Sequence, residues 1–229
     1  EYLVMAYQRF EVNFPILSSE DLAAWREIPP AVASDCMNRT QVMDAAIKPV
    51  MPGTVLCGQA RTVTGMVGDC GIVCIACVDA RAGEIVVVDS DGVEDTAVWG
   101  AVMTEAAVIR GIGGAVIDGA VRDVAEIRES GLPMFCRSVV PRGPHEGFGG
   151  IIDARISVAG VPVSPGDIVL GNDDGVTVVP LERASQILVA AQAHLKKEED
   201  WLRKLKAGKT IPEVFEMPTP EVIGRGGGK

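Results

Sequence analysis

Arg122 and Asp123 stand side by side at the end of an apolar run, Gly113-Gly114-Ala-Val-Ile-Asp118-Gly119-Ala-Val-Arg122-Asp123. Such a pair can hold a carboxylate and a metal ion at once. A guanidinium offers two parallel donors to a carboxylate, and a neighbouring carboxylate offers hard oxygen to a divalent cation. An isolated Arg-Asp dipeptide after an Asp-Gly turn is more often a plain surface ion pair. Ala115 to Ile117 reads as a buried strand, however, so the turn lies at a strand end, where sheet proteins build their sites. The chain carries 31 Asp and Glu against 21 Lys and Arg, a net charge of −10. To bind an anion it must concentrate positive charge locally, which draws attention to Arg122.

Other chemistries recede by subtraction. His145 and His194 are the two histidines, far apart in sequence, so a three-histidine or His-Glu-x-x-His zinc site is excluded and any metal would sit among oxygens, as suits Mg²⁺ or Mn²⁺. Apart from Lys48, every lysine lies in the C-terminal helix and tail, and the strand-and-turn regions offer no buried lysine for a Schiff base. No nucleophile elbow supports Ser-His-Asp chemistry. Cys70, Cys74 and Cys77 have the C-x3-C-x2-C spacing of an iron–sulfur motif. Offsets of four and three are also those of one helix face, and Ile72-Val73 and Ile75-Ala76 fill the gaps with core residues, so the expectation is a buried helix. Trp99-Gly100-Ala-Val-Met103 opens a helix whose free amides could bind an anion. Gly143-Pro-His145-Glu146-Gly-Phe-Gly-Gly150 is glycine-rich but lacks the lysine and strand-to-helix setting of a phosphate loop. It reads as an irregular loop near a site, with His145 and Glu146 as candidates.

The elements that must position these residues follow from pattern. Ser18-Ser19-Glu-Asp starts a capped helix, Pro29-Pro30 stops it, and a second helix runs near Ala31 to Arg39. Gly53 to Val67 alternates as one bent or two short strands, and Asp69 to Asp79 reads as helix. Ile85 to Val88 is a strand ending at Asp89-Ser-Asp-Gly92, before an acidic loop to Asp95. A helix over Gly100 to Arg110, the strand Ala115 to Ile117 and a helix over Val124 to Ser130 complete a strand-helix alternation that implies a parallel unit within a mixed sheet. Short strands follow at Pro133 to Val139, Ala154 to Val158, Asp167 to Leu170 and Val176 to Val179, and then one long amphipathic helix over Glu182 to Ala207. The chain has 229 residues, 48% of them hydrophobic, and a mean hydropathy of +0.25. One domain over 1–229, with a disordered tail over 224–229, is the expectation. An acidic chain with no basic stripe argues against nucleic acid as ligand. The absence of a transmembrane-length apolar run and of a secretory leader predicts a cytoplasmic protein with no membrane partner.

Four stretches together resemble a known family. These are Ala82-Gly83-Glu-Ile-Val-Val-Val-Asp89, Gly100 with its helix, Gly-x-x-Gly-x-Val-Ile-Asp-Gly-x-x-Arg-Asp over Gly111 to Asp123, and Pro-Gly-Asp…Asp-Asp-Gly-Val-x-Val-Val-Pro over Pro165 to Pro180. The family is the one shared by 4-hydroxy-4-methyl-2-oxoglutarate/4-carboxy-4-hydroxy-2-oxoadipate aldolases and the regulator of ribonuclease activity A, and the likeness runs from about Ala31 to Gly208. It implies an α/β/α sandwich of the swivelling-domain type, with a mixed sheet and a long C-terminal helix, assembled as a homotrimer or homohexamer. It further implies a class II lyase of aromatic catabolism that cleaves a 4-hydroxy-2-oxo diacid to pyruvate and a second keto acid, decarboxylates oxaloacetate through the same enolate, and uses Mg²⁺ or Mn²⁺. Carried over by the motif, Arg122 would bind substrate oxygens and Asp123 would anchor the metal. The amides of Gly100, Ala101, Val102 and Met103 would hold the pyruvyl carboxylate, and Glu198 or Glu199 would act from a neighbouring subunit. One departure stands out: the aldolases have Asp directly after the glycine that opens the carboxylate-binding helix, where this chain has Ala101. The base for the hydroxyl proton is therefore open among Glu198, Glu199, Asp95 and Glu146. The alternative is a non-catalytic, ribonuclease E regulator-type binding protein; the intact Arg122-Asp123 pair favours the enzyme.

Overall fold

The computed structural model describes residues 7–224. The strands are β1 (Tyr7–Arg9), β2 (Lys48–Pro49), β3 (Leu56–Gly65), β4 (Ile85–Trp99), β5 (Gly114–Val121), β6 (Met134–Val139), β7 (Gly150–Ile152), β8 (Ile156–Val158), β9 (Val161–Val163), β10 (Ile168–Asn172) and β11 (Gly175–Val179). The helices are α1 (Ser19–Arg26), α2 (Pro30–Cys36), α3 (Gly71–Asp79), α4 (Ala101–Ile109), α5 (Val124–Ser130), α6 (Ala184–Lys206) and α7 (Ile211–Val214). They fall into two compact units, 1–191 and 192–229, with α6 beginning in the first and ending in the second. Of the tail expected to be disordered, residues 225–229 lie outside the described residues. No helix among the described residues is long and apolar enough to cross a membrane.

The first unit is a mixed α/β structure. Among the described residues, nine strands share one sheet, in the order β1-β7-β3-β4-β5-β6-β2, with β10 pairing β3 and β11 pairing β10. Strands β3, β4, β5 and β6 run parallel to one another, the connection expected of alternating strands and helices, whereas β7 and β10 pair antiparallel with β3, β11 with β10 and β2 with β6. Period-two alternation splits the sheet residues between two cores. Val86, Val88 and Ile117 join Ile72, Val73, Ala107 and Ile127 from α3, α4 and α5. Ile85, Val87 and Val116 join Val158, Val163, Val169 and Val178 from β8 to β11. At the first helix, Ser18 Oγ accepts Asp21 N (3.0 Å) while Asp21 Oδ2 accepts Ser18 N (3.3 Å), the reciprocal cap that the sequence foretold.

Two strand boundaries differ from expectation. β4 does not stop before the acidic run but continues to Trp99, with register shifts between Asp89, Val93, Ala97 and Trp99 that let a long segment pair with a short one. β5 does not turn at Asp118-Gly119 but runs on to Val121. Asp118 can lie in a buried strand because Arg137 Nε (2.7 Å) and Ala159 N (2.6 Å) both donate to its carboxylate. The chain therefore turns four residues later than the Asp-Gly pair suggests, at Arg122-Asp123 themselves. Short β1, β2, β7 and β9 carry little sequence signal and were not expected.

Candidate functional site

Arg122 N donates to Trp99 O at 2.9 Å, so the end of β5 stays tied to the end of β4 and the Arg-Asp pair arrives beside the start of α4. Asp123 has φ 59° and ψ 46°, a left-handed conformation that an L-residue with a Cβ rarely takes. It occupies the N-cap position of α5 yet makes no side-chain bond to that helix. Its Oδ2 instead accepts Ala101 N, the first amide of α4, at 2.9 Å, with Arg122 Nε 3.6 Å from the same oxygen. A residue strained at one helix to serve another is the kind of local conflict that marks functional positions.

The pair lines a cleft of about 330 Å³ together with Cys70, Cys74, Val98, Trp99, Gly100 to Met103, Gly143, Pro144 and Glu146. A helix start leaves its first amides without partners in the helix. In α4, Asp123 takes the amide of Ala101, while those of Val102 and Met103 have no protein acceptor among the described residues and remain free for an anion. The start of α4 is locked from inside. Trp99 Nε1 donates to Thr104 Oγ1 (2.9 Å), and that hydroxyl donates to Gly100 O (3.0 Å), all of it buried. A side chain at Gly100 would displace the Asp123 carboxylate, because a Cβ there would come within 2.6 Å of Oδ2. Gly143 is equally constrained, since its Cβ would meet Arg122 Nη1 at 2.5 Å. The guanidinium thus lies against bare backbone on the glycine-rich loop.

Asp69, 3% exposed, shapes that loop: it accepts Gly71 N on Oδ1 and Phe148 N on Oδ2, both at 2.6 Å. His145 contributes its main chain, donating from N to Gly68 O (2.7 Å) and accepting Cys70 N (3.0 Å), and its ring packs edge-on to Phe148 instead of entering the cleft. Cys70 precedes α3; burial, and then Cys74, Glu146 and Asp69, push its thiol up to about 12. Burial likewise raises the Cys74 thiol, with Glu146 and Asp69 adding to the rise. The three cysteines do not share one buried face as expected. Cys70 and Cys77 are both buried in the core, whereas Cys74 is exposed, and Cys70 and Cys74 also line the cleft.

The structure thus brings Arg122, Asp123 and Gly100 to Met103 into one cleft, with Glu146. Asp95 is not among the lining residues and pairs with Arg142 at 3.0 Å. Glu198 and Glu199 lie on α6 in the second unit, where Glu198 is 3.3 Å from His194 Nε2 and Glu199 is exposed. Sequence reasoning missed Asp69 and Thr104 and took Gly143 only as part of a loop near a site; Asp69 and Gly143 act on partners remote in the chain, Thr104 on the buried Trp99 and Gly100 beside it. No group of three or more His, Cys, Asp or Glu that could hold a metal occurs among the described residues. Beside the start of α4 the cleft offers the Asp123 carboxylate, whose two contacts both fall on Oδ2, leaving Oδ1 available. That donor set suits a hard cation that keeps water or substrate oxygens, as Mg²⁺ and Mn²⁺ do, and does not suit zinc or an iron–sulfur cluster.

The family model described as RraA-like, Aldolase/RraA, matches residues 30–178. A Halalkalibacterium halodurans protein provisionally named 4-hydroxy-4-methyl-2-oxoglutarate aldolase is 34% identical over 179 residues, covering 78% of this chain and 84% of its own. Among solved structures, a Pseudomonas syringae pv. tomato protein superposes with a TM-score of 0.77 at 23% identity, over 88% of this chain and 100% of that one. RraAS2 of Streptomyces coelicolor, an unusual member of the RNase ES inhibitor RraA family, gives 0.73 at 24%, over 82% and 98%. At these identities the two structures speak for the fold.

Proposed function

The chain belongs to the RraA-like, Aldolase/RraA family, and from that premise we propose that it is a divalent-metal-dependent carbon–carbon lyase that cleaves a 4-hydroxy-2-oxo acid to pyruvate and a second carbonyl compound. The observation that carries this reading is the conjunction at α4: two free amides, Val102 N and Met103 N, beside a guanidinium and a carboxylate in one cleft. The amides and Arg122 bind and orient the carboxylate of the pyruvyl half. Asp123 would hold Mg²⁺ or Mn²⁺, which when bound supplies positive charge where the 2-keto oxygen becomes negative. Glu146, the other acid of the cleft, takes the proton from the C4 hydroxyl. The C3–C4 bond then breaks, its electrons pass into the enolate of pyruvate, C4 becomes a carbonyl carbon, and protonation at C3 releases pyruvate. Oxaloacetate decarboxylation passes through the same enolate. The reading includes a homotrimer or homohexamer, which light scattering tests.

A panel of 4-hydroxy-2-oxo acids and oxaloacetate, followed by pyruvate release with Mg²⁺ and with EDTA, tests the proposal. The expected result is turnover that EDTA abolishes and Mg²⁺ or Mn²⁺ restores. Full activity in EDTA, or a substrate adduct trapped by borohydride, overturns the metal-based reading. The alternative, a non-catalytic regulator of the ribonuclease E type, draws on the replacement of the aldolases' aspartate by Ala101. It gains the field if neither turnover nor Mn²⁺ binding is found.

A further inference from the structure

We propose that a second cavity in the first unit, walled by prolines and the Gln41 and Arg183 side chains, binds a small carboxylate that carries an apolar body and one N–H or O–H donor. It shares no lining residue with the cleft at α4, so the inference does not rest on the lyase reading.

The cavity measures about 550 Å³, within the range of small-molecule sites. Its walls are fixed by buried polar side chains that bond main chain from distant segments. Gln59, 5% exposed, donates from Nε2 to Pro15 O (3.0 Å) and Gly166 O (3.1 Å) and accepts Leu17 N on Oε1 (2.8 Å). Asp167, 7% exposed, accepts Ser164 N on Oδ2 (2.8 Å) and Leu181 N on Oδ1 (2.9 Å), which ties the turn before β10 to the short helical turn Leu181–Arg183. Walls held in this way have little left to order when a ligand enters.

Three properties of the lining converge on one ligand chemistry. The first is an unpaired cation. The guanidinium of the half-buried Arg183 has no hydrogen-bond or ion-pair partner among the described residues. Arg155 acts electrostatically on Asp167, and Glu182, the other acid of the lining, is exposed. Arg183 is therefore left for a ligand carboxylate. The second is an orphaned acceptor. Gln41 O accepts Val178 N (2.9 Å) and Val42 bridges Thr177, so β11 fixes the backbone from which the Gln41 side chain starts. Its Oε1 is buried with no hydrogen-bond partner, a state that costs stability. A turn of the amide about its broad, two-fold last torsion offers that oxygen to a donor in the cavity. The third is apolar carbon: Pro15, Pro162, Pro165, Pro180 and Leu181 make up much of the remaining wall.

N-acylated amino acids with a branched side chain combine a carboxylate, an amide N–H and an apolar body, and N-acetyl-L-leucine is the probe. N-acetyl-L-leucinamide lacks its charge, and 4-methylpentanoate lacks its N–H. Calorimetry on the full chain should show saturable binding of N-acetyl-L-leucine, weaker by roughly tenfold for the amide and roughly fivefold for 4-methylpentanoate. Gln41→Leu removes the orphaned acceptor, so it should lower N-acetyl-L-leucine to the level of 4-methylpentanoate without lowering the unfolding midpoint. Arg183→Gln should weaken both carboxylates and spare the amide, and Arg122→Ala should change none of the three. Absence of saturable binding to wild type, or equal binding of the three ligands, overturns the proposal. Binding lost in Arg122→Ala and kept in Arg183→Gln also overturns it, because the ligand then sits in the cleft at α4. An undiminished preference for the N–H in Gln41→Leu overturns the role of Gln41 and with it the donor in the ligand class.

Discussion

Arg122 has its room because two neighbours have no side chain: a Cβ at Gly143 would stand 2.5 Å from Nη1, and one at Gly100 would stand 3.2 Å from Nε. The atom in the way at Gly143 is the tip of a flexible side chain on a half-exposed residue, so the guanidinium, and not the fold, should give way in Gly143→Ala. Stability is expected to stay within about 0.5 kcal/mol of wild type, while kcat/KM for pyruvate release falls by roughly tenfold, or about 1.4 kcal/mol of transition-state interaction. In an Arg122→Ala background the same substitution should have no further effect, because the two act through one group. Independent, additive losses in that cycle would show that Gly143 acts on something else. Asp123→Asn separates the neighbouring role. Asparagine tolerates the left-handed conformation and can still accept Ala101 N, so the fold should survive while the charge proposed to anchor a cation is gone. Mn²⁺ binding by calorimetry should be lost in Asp123→Asn and retained in Arg122→Lys, with turnover impaired in both. Retention of Mn²⁺ in Asp123→Asn would move the metal elsewhere.

At the scale of elements, the site depends on where α4 begins, and that is fixed by a buried relay from Trp99 Nε1 through Thr104 Oγ1 to Gly100 O. Thr104→Val keeps the volume and removes the hydroxyl, leaving the indole N–H of a 1% exposed tryptophan unpaired. A loss of about 1–3 kcal/mol is expected from chemical denaturation, with Thr104→Ser close to wild type. Equal stability of the valine variant would mean that the relay does not hold the helix start. Helices were the legible part of this chain, because caps and proline stops are local: the Ser18 cap and the Val124 to Ser130 helix are where the pattern put them. Strand ends were less legible, since the continuation of β5 through Asp118 depends on Arg137 and Ala159, remote residues that neutralise and hydrogen-bond it. In the cleft, Arg122 and Asp123 could be read from the Gly111 to Asp123 motif and the α4 amides from the separate stretch Trp99 to Met103. Asp69 and Gly143 could not, because what they do is set by Phe148 and by the reach of a side chain from another strand. The cysteines show the limit of periodicity. A spacing of four places Cys70 and Cys74 one above the other but cannot say whether their side of α3 meets the core or a cleft.

In the first unit as a whole, the charged groups that stabilise the fold are not those proposed to do the chemistry. Arg61, 2% exposed, donates from Nε to Glu84 (3.1 Å) on the segment entering β4 and from Nη1 to Asp153 (2.5 Å) just after β7. Arg9 on β1 reaches the same Asp153 oxygen at 3.1 Å. The network joins strands that pair side by side, and it opens to solvent at Arg9 and at Arg81, which lies 3.6 Å from Glu84. Asp153 Oδ1 is buried with no hydrogen-bond partner, so its carboxylate already depends on the two arginines. Removing Arg61 while keeping both acids leaves buried negative charge offset only by the more exposed Arg9 and Arg81, and breaking a buried pair in this way typically costs about 3–5 kcal/mol. Arg61→Met is therefore expected to lower the denaturation free energy by that order. Under conditions where the variant remains folded, its Mn²⁺ affinity should match wild type, because Arg61 contacts neither Arg122 nor Asp123. Asp123→Asn should show the converse, stability kept and metal lost. A variant at Arg61 that unfolds no more readily than wild type would remove the network from the account of stability. One that stays fully folded but loses Mn²⁺ would mean that the sheet transmits its strain to the end of β5, and that the separation of fold and chemistry drawn from these contacts is wrong.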